Sequence, residues 1–316
     1  MECIVGTKEF EIPVPTVVTI GKFDGRHRGH QKLLRQMLKL KAEKGYQTAV
    51  FTFAVPPAAF INGITQKMIT TNYERRNNLE KIGIDYLVEY LFSTEVAHMP
   101  AKEFVEQILV KQMHARAIVV GTDCGFGYRR AGNAKLLQQL SGPCGYELVV
   151  IQKAKDEDRD ISSTYVREEL DAGNIEKANA LLGEPYSIHG IVVHGNHIGG
   201  PILGFPTANL IPPEEKYLPP FGVYVSRVLV EGKEYGGISN IGRKPTIDGE
   251  SPAGVETFIF GIDKDIYGSV IEVQLLHFVR SEQKFDGLEA LKEQIERDKQ
   301  FGQDYLVQNL TKKDGP

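Results

Sequence analysis

The chain has 316 residues, 41% hydrophobic and 25% charged, which gives it the length for two ordinary domains, each with its own core. A formal net charge of −4 argues against a broad nucleic-acid-binding face but leaves room for a local phosphate pocket. Three cysteines without a CxxC pair point to neither a disulfide framework nor a zinc site, the N-terminus does not read as a signal peptide, and no apolar run nears the roughly 20 residues of a membrane span, so a soluble cytoplasmic protein is expected.

In the first half, apolar runs at 17–23, 48–53, 86–90, 117–121 and 146–151 read as strands. Between them lie helical patterns: Leu34, Leu38 and Ala42 recur four apart, and Phe104, Ile108 and Gln112 bracket another face. Thr71 with Glu74 predicts a capping box opening a helix through Leu79, and Pro100 suits the first position of the next one. Strand, helix, strand, repeated, predicts an α/β fold with a parallel sheet covered by helices on both faces.

Beyond Ile151 the texture changes. A charged stretch, 153–160, precedes a short helical pair ending at Leu181, Leu182 and Gly183. Pro185 breaks that helix and sets the expected boundary, with domains at 1–184 and 185–316. The pattern is then β, at 187–193, 223–230, 235–240, 256–262 and 271–279. Ile271, Val273 and Leu275 alternate with Glu272 and Gln274, as in a half-buried strand, and Glu231-Gly232-Lys233 predicts a tight hairpin. A helix with Asp286 and Glu289 at its start and Leu288, Leu291 and Ile295 on one face closes the chain. A small antiparallel β-barrel with a terminal helix is expected.

Two motifs carry chemistry. Gly21-Lys-Phe-Asp-Gly-Arg-His-Arg-Gly-His30 follows a predicted strand and opens a helix. Ligands of open α/β sheets bind outside the carboxyl ends of strands, and a helix start offers free N–H groups to a phosphate. His27 and His30 can donate hydrogen bonds as charge builds on phosphate oxygens, and Gly29 between them allows close backbone approach. A histidine pair is more often packed or solvated; the glycines at 21, 25 and 29 and the strand-to-helix setting favour the functional reading. Further on, in Ile161-Ser-Ser-Thr-Tyr-Val-Arg167, Ser162, Ser163 and Thr164 are N-cap types that leave N–H donors for an anion. Arg167, one turn in, can reach a phosphate with its planar fork.

The second motif is Gly204-Phe-Pro-Thr-Ala-Asn-Leu210, behind a glycine-rich stretch with Gly195, Gly199 and Gly200. Such a stretch brings backbone N–H groups against phosphates, which makes Gly195 a nucleotide-binding candidate, with Gly204 and Pro206 of the adjoining GFPT run as further candidates. Thr207 and Asn209 supply neutral oxygens suited to Mg2+ that keeps water and phosphate ligands.

The run GKFDGRHRGH resembles the HxGH motif of nucleotidylyltransferases in the form found in bacterial FAD synthetases, and ISSTYVR resembles their ISSTxxR motif. The C-terminal half resembles riboflavin kinases nearly end to end, through GFPTANL and residues 222–224, 239–246, 255–257, 265–268 and 285–298. The resemblance implies a two-site flavin enzyme. Its C-terminal site would phosphorylate riboflavin to FMN with ATP and Mg2+; its N-terminal site would adenylylate FMN to FAD and release pyrophosphate. By the same resemblance His27 and His30 hold ATP phosphates, with Gly21, Phe23, Asp24 and Gly29 around them, and Arg167 with Ser163 takes the leaving group. Asp123, in a segment similar to VGxDFxFG, flanks the flavin; Glu256 is the general base on the riboflavin 5′-hydroxyl; Arg280 and Asp298 are flavin-contact candidates.

Three positions depart from the families: Cys124 replaces an aromatic residue, 52–57 lacks the histidine of TFxPHP, and Gly200 stands where an arginine is common. The first two motivate an alternative, a riboflavin kinase whose N-terminal half is a scaffold or flavin-binding module. A nucleic-acid-binding regulator is disfavoured by the net acidity. The expected partners are ATP, riboflavin, FMN, FAD and pyrophosphate, with no nucleic acid and no membrane, for a monomer or weak homo-oligomer.

Overall fold

The structure, a computed structural model, describes residues 1–63, 66–194, 207–246 and 249–310. The chain divides into two compact units, Met1–Ser163 and Thr164–Pro316.

The first unit is built on an all-parallel sheet of β1 (Glu2–Val5), β2 (Thr16–Ile20), β3 (Gln47–Phe53), β4 (Tyr86–Tyr90), β5 (Ala115–Gly121) and β6 (Glu147–Ile151), in the order β1-β4-β3-β2-β5-β6. β2, β3 and β5 are buried almost throughout, as expected of parallel strands covered on both faces. The edge strand β1 has no sequence signal, because most of ECIV is exposed and no apolar alternation is required of it. A short hairpin, β7 (Lys155–Asp156) and β8 (Arg159–Asp160), ends the unit.

The Arg28–Lys44 helix buries Leu33, Leu34, Met37 and Leu40, not the expected stripe; Leu38 is half-buried and Ala42 exposed. Residues repeating strictly every four drift around a helix of 3.6 residues per turn, whereas the 33/34/37/40 set stays on one side. The capping box forms as expected. Thr71 Oγ1 accepts from the Glu74 N–H at 3.3 Å, Glu74 Oε2 accepts from the Thr71 N–H at 2.9 Å, and the helix runs on to Ile82. Pro100 sits at the N-cap rather than one residue inside, and the turns that follow, Phe104–Gln112, are π-helical and bury Phe104 and Ile108. The wider turn still leaves Gln112 half-buried, with its side-chain N–H on the Lys8 carbonyl at 2.9 Å.

In the second unit a helical pair, ending at Leu182 with Gly183 at φ 77°, leads into a closed antiparallel barrel. Its strands are β9 (Tyr186–Val193), β10 (Thr207–Leu210), β11 (Gly222–Val230), β12 (Lys233–Thr246), β13 (Gly249–Ile259) and β14 (Val270–Ser281), in the cyclic order β10-β13-β12-β11-β14-β9. The β11–β12 hairpin turns through Glu231 and Gly232, both at positive φ (49° and 78°), the conformation of a two-residue type I′ turn. β12 and β13 are longer than their apolar runs, because Gly236, Gly237, Gly242 and Pro245 break the alternation without ending the ladder. The Leu288–Leu310 helix lies on the barrel through Asp298, Gly302 and Leu306; Leu288 itself is exposed, beyond the edge of that face. A Cβ on Gly302 would stand 2.5 Å from Ile238 Cδ1, so a larger residue there would push that side chain aside. No helix among the described residues is long and apolar enough to cross a membrane.

Candidate active sites

In the first unit the strand order reverses direction between β2 and β5, and such a switch point opens a crevice at the carboxyl ends of the two strands. The 21–30 loop follows β2 and the Gly121–Asp123 turn follows β5, so both sequence segments border that crevice. His27 is the N-cap of the helix that follows, with φ −60° and ψ 168° and no side-chain cap hydrogen bond. Its ring stacks on His30 at 3.9 Å between centroids, and His30 packs in turn on Phe23 at 4.9 Å.

Nδ1 of each histidine is buried without a hydrogen-bond partner among the described residues. Burial pushes His27 down to about 4, against the opposing pull of the Asp24 and Asp123 carboxylates. Burial, with His27 as neighbour, also holds His30 well below the usual histidine range. Both imidazoles are therefore neutral at pH 7, each with one N–H to donate. Two orphaned ring nitrogens side by side are what an incoming anionic oxygen would satisfy.

Other expected residues sort as follows. A Cβ on Gly29 would lie 3.0 Å from His27 Nδ1, and one on Gly21 3.0 Å from the Phe23 ring. The Ser163 hydroxyl donates to the Asp24 carbonyl at 2.7 Å, which brings the 161–167 run against the 21–30 loop. Ser162 is half-buried and Thr164 exposed. Asp123 is 66% exposed and paired with Lys153, which also pairs with Asp160, each at 3.2 Å. Arg167 belongs to the second unit, where its guanidinium lies 5.4 Å from the centre of the Tyr217 ring. Cys124 is half-buried, and burial raises its thiol. Near the altered 52–57 segment, Phe53 and Phe60 both pack edge-on against Phe92, at 4.9 and 5.4 Å.

On the barrel, Thr207 and Asn209 are two apart on β10 and so share a face; Asn209 is opposite Glu256 on β13, and Glu256 is opposite Asn240 on β12. Ala208, Leu210, Val255 and Thr257 occupy the other, buried face. Arg280 and Asp298 meet each other. Arg280 Nε lies 3.1 Å from both carboxylate oxygens and Nη2 2.6 Å from Oδ2, while Gln294 donates to Oδ1 at 2.9 Å. Gly195, Gly199, Gly200, Gly204 and Pro206 lie outside the described residues. Among the described residues no group of three or more His, Cys, Asp or Glu could hold a metal ion.

Residues 9–165 match the family model for FAD synthetase, and residues 182–306 that for riboflavin kinase. A bifunctional riboflavin kinase/FMN adenylyltransferase of Bacillus subtilis is 36% identical over 290 residues, 90% of each chain. Its counterpart in Escherichia coli strain K12 is 36% identical over 298 residues, 94% of each. The chain belongs to the bifunctional riboflavin kinase/FMN adenylyltransferase family. A crystal structure named as a macrolide-efflux protein of Streptococcus pneumoniae has the same fold, with a TM-score of 0.83 and 33% identity over 96% of this chain and 98% of that one. The His27–His30 site and Ser163 fall inside the FAD synthetase match, and Thr207, Asn209 and Glu256 inside the riboflavin kinase match; Arg167 falls between the two.

Sequence reasoning missed Thr70, Arg75, Glu89 and Lys153. Thr70 sits beside a capping box and carries no separate sequence signal. Glu89 had a signal: it is a carboxylate inside the buried run YLVEY, where an unpaired charge cannot stay.

Proposed function

We propose that the chain makes both flavin cofactors, phosphorylating riboflavin to FMN at the barrel and adenylylating FMN to FAD at the parallel sheet. The observation that carries this is the buried, neutral, stacked His27–His30 pair at the switch point, in a chain that matches both family models along its two halves.

In the adenylyl transfer an FMN phosphate oxygen attacks the α-phosphorus of ATP, the bond from that phosphorus to the bridging oxygen breaks, and pyrophosphate leaves. His27 and His30 donate N–H groups to the phosphate oxygens as charge builds, with no covalent intermediate. Ser163 and Arg167 are assigned to the leaving pyrophosphate, with Ser162 and Thr164 beside them, and Gly21, Phe23, Asp24, Gly29 and Asp123 to the walls of the site. In the kinase reaction Glu256 accepts the proton of the riboflavin 5′-hydroxyl as its oxygen takes the γ-phosphoryl group, and ADP leaves. Thr207 and Asn209 would hold Mg2+, which when bound neutralises phosphate charge. Gly195, Gly204 and Pro206 are assigned to ATP, Arg280 and Asp298 to the flavin end. The functional halves are placed at 1–184 and 185–316, in a cytoplasmic monomer or weak homo-oligomer.

The test is chromatographic. Riboflavin, ATP and Mg2+ with the wild-type chain give FMN and then FAD; His30→Ala gives FMN only. A wild-type chain that makes no FAD from supplied FMN and ATP overturns the adenylylating half and leaves the kinase with a scaffold domain.

A further inference from the structure

We infer that Arg75 is a positioning residue for the adenylyl transfer, fixed by the buried carboxylate of Glu89 and holding the turn that seats Phe23 against His30. The inference rests on the reading of His27 and His30 given above.

The turn needs holding. Phe23 (φ 50°) and Arg26 (φ 22°) are non-glycine residues at positive φ, with Gly25 at φ 78° between them. Such conformations persist only where surrounding contacts over-determine them. Here one segment, 70–75, grips the turn at three places. The Thr70 N–H donates to Asp24 Oδ1 at 3.1 Å, Thr70 Oγ1 accepts from the Gly25 N–H at 3.1 Å, and Arg75 Nη1 reaches the Lys22 carbonyl at 3.4 Å. Phe23, Arg26, Thr70, Arg75, Asn78 and Leu79 cluster together, which sets the guanidinium beside the turn.

The grip is itself anchored. Arg75 is 5% exposed, and its Nη2 donates to Glu89 Oε1 at 2.6 Å and to Asn72 Oδ1 at 2.8 Å. Glu89 is fully buried on β4, and its second oxygen accepts from Arg76 Nε at 3.0 Å. A planar guanidinium whose Nη2 is held by both the buried Glu89 carboxylate and Asn72 is restrained from swinging, which keeps its Nη1 edge toward the Lys22 carbonyl. The contacts then run from Glu89 through Arg75 to the Lys22 carbonyl, along the chain to Phe23, and across to His30 and His27. Neither Arg75 nor Glu89 is assigned to touch ATP or FMN, which makes Arg75 a residue that acts through another.

Arg75→Met is a fair test because Glu89 keeps Arg76 as its cationic partner. FMN formation at the barrel, in the other unit, controls for the amount of enzyme, and the thermal midpoint controls for folding of the first unit. We expect Arg75→Met to lower kcat for FAD formation at least tenfold with little change in KM for ATP, FMN formation staying at the wild-type rate. Arg75→Lys, which can pair with Glu89 but lacks the second, fixed arm, should keep the wild-type thermal midpoint and still show the kcat loss. Wild-type kcat in both variants, in a preparation where His30→Ala is inactive for FAD, overturns the positioning role alone. An active His30→Ala overturns the histidine reading instead. A loss of FAD formation that follows a lowered midpoint in both variants would assign Arg75 to the fold only and also overturn the inference.

Discussion

Replacing Gly29 by alanine separates catalytic geometry from stability at one atom's cost. Gly29 lies in the first turn of the Arg28–Lys44 helix and is not among the positive-φ residues, so alanine fits its backbone. Alanine is the better helix former by up to about 1 kcal/mol in a helix interior, and by less this close to the end. The new Cβ would lie 3.0 Å from His27 Nδ1 and 3.1 Å from Cε1, so the imidazole has to give by a few tenths of an ångström. His27 stacks on His30 at 3.9 Å, and the displacement passes to both rings. Misplacing catalytic groups by about 1 Å costs on the order of 100-fold, so a shift of this size should cost about tenfold, or ~1.4 kcal/mol of barrier. The assay is initial rates of FAD and FMN formation on one preparation, with the thermal midpoint beside them. FAD formation should fall about tenfold, FMN formation should not change, and the midpoint should hold or rise slightly. An unaltered FAD rate would refute the claim that this glycine exists to make room for His27.

At the barrel, Glu256→Gln should reduce FMN formation by about 10²–10⁴ while FAD still forms from supplied FMN, and Asn209→Ala should raise the Mg2+ concentration needed for half-maximal FMN formation; if FMN formation is untouched in both, the β10–β13 assignment fails. Acid stability gives an independent check: in the unfolded chain His27 protonates near its ordinary 6.5, but in the fold only near 4, so the unfolded state binds more protons between these values. Stability from this source is therefore complete above pH 6.5 and declines as pH falls to about 4, by about 3 kcal/mol at most, with His30 acting in the same direction. Urea midpoints measured from pH 7.5 to 4.5 should slope less in His27→Asn than in wild type; equal slopes would contradict the buried neutral imidazole.

What could be read from the sequence depended on whether the backbone or the tertiary neighbours set the requirement. Strands β2 to β5 announce themselves because a sheet covered on both faces needs apolar residues at nearly every position, and β6, only half-buried at the sheet edge, still carries the apolar run Leu148–Ile151. The Thr71–Glu74 box and the Glu231–Gly232 turn are local demands of the backbone and were equally plain. The glycine-rich motif around His27 belongs to the same class, since Gly29 is needed by a neighbour two residues away. Strands β1, β12 and β13 were hidden or shortened, because edge exposure and strand glycines remove the alternation that reading relies on. The Arg75–Glu89 pair joins a helix to a strand fourteen residues on, and nothing local names the partner.

That pair also bears on the altered 52–57 segment. The Ala54 N–H donates to the Tyr90 carbonyl at 3.1 Å, and the Ala54 carbonyl accepts from Asn72 Nδ2 at 3.1 Å. Asn72 in turn holds Arg75 through its Oδ1. The segment is thus fixed by its backbone to β4 and to the same residues that hold the Lys22–Arg26 turn. Changing its side chains alters what the loop presents to a ligand, not where the loop stands. The stacked geometry of His27 and His30 is therefore built without the missing histidine of the 52–57 segment.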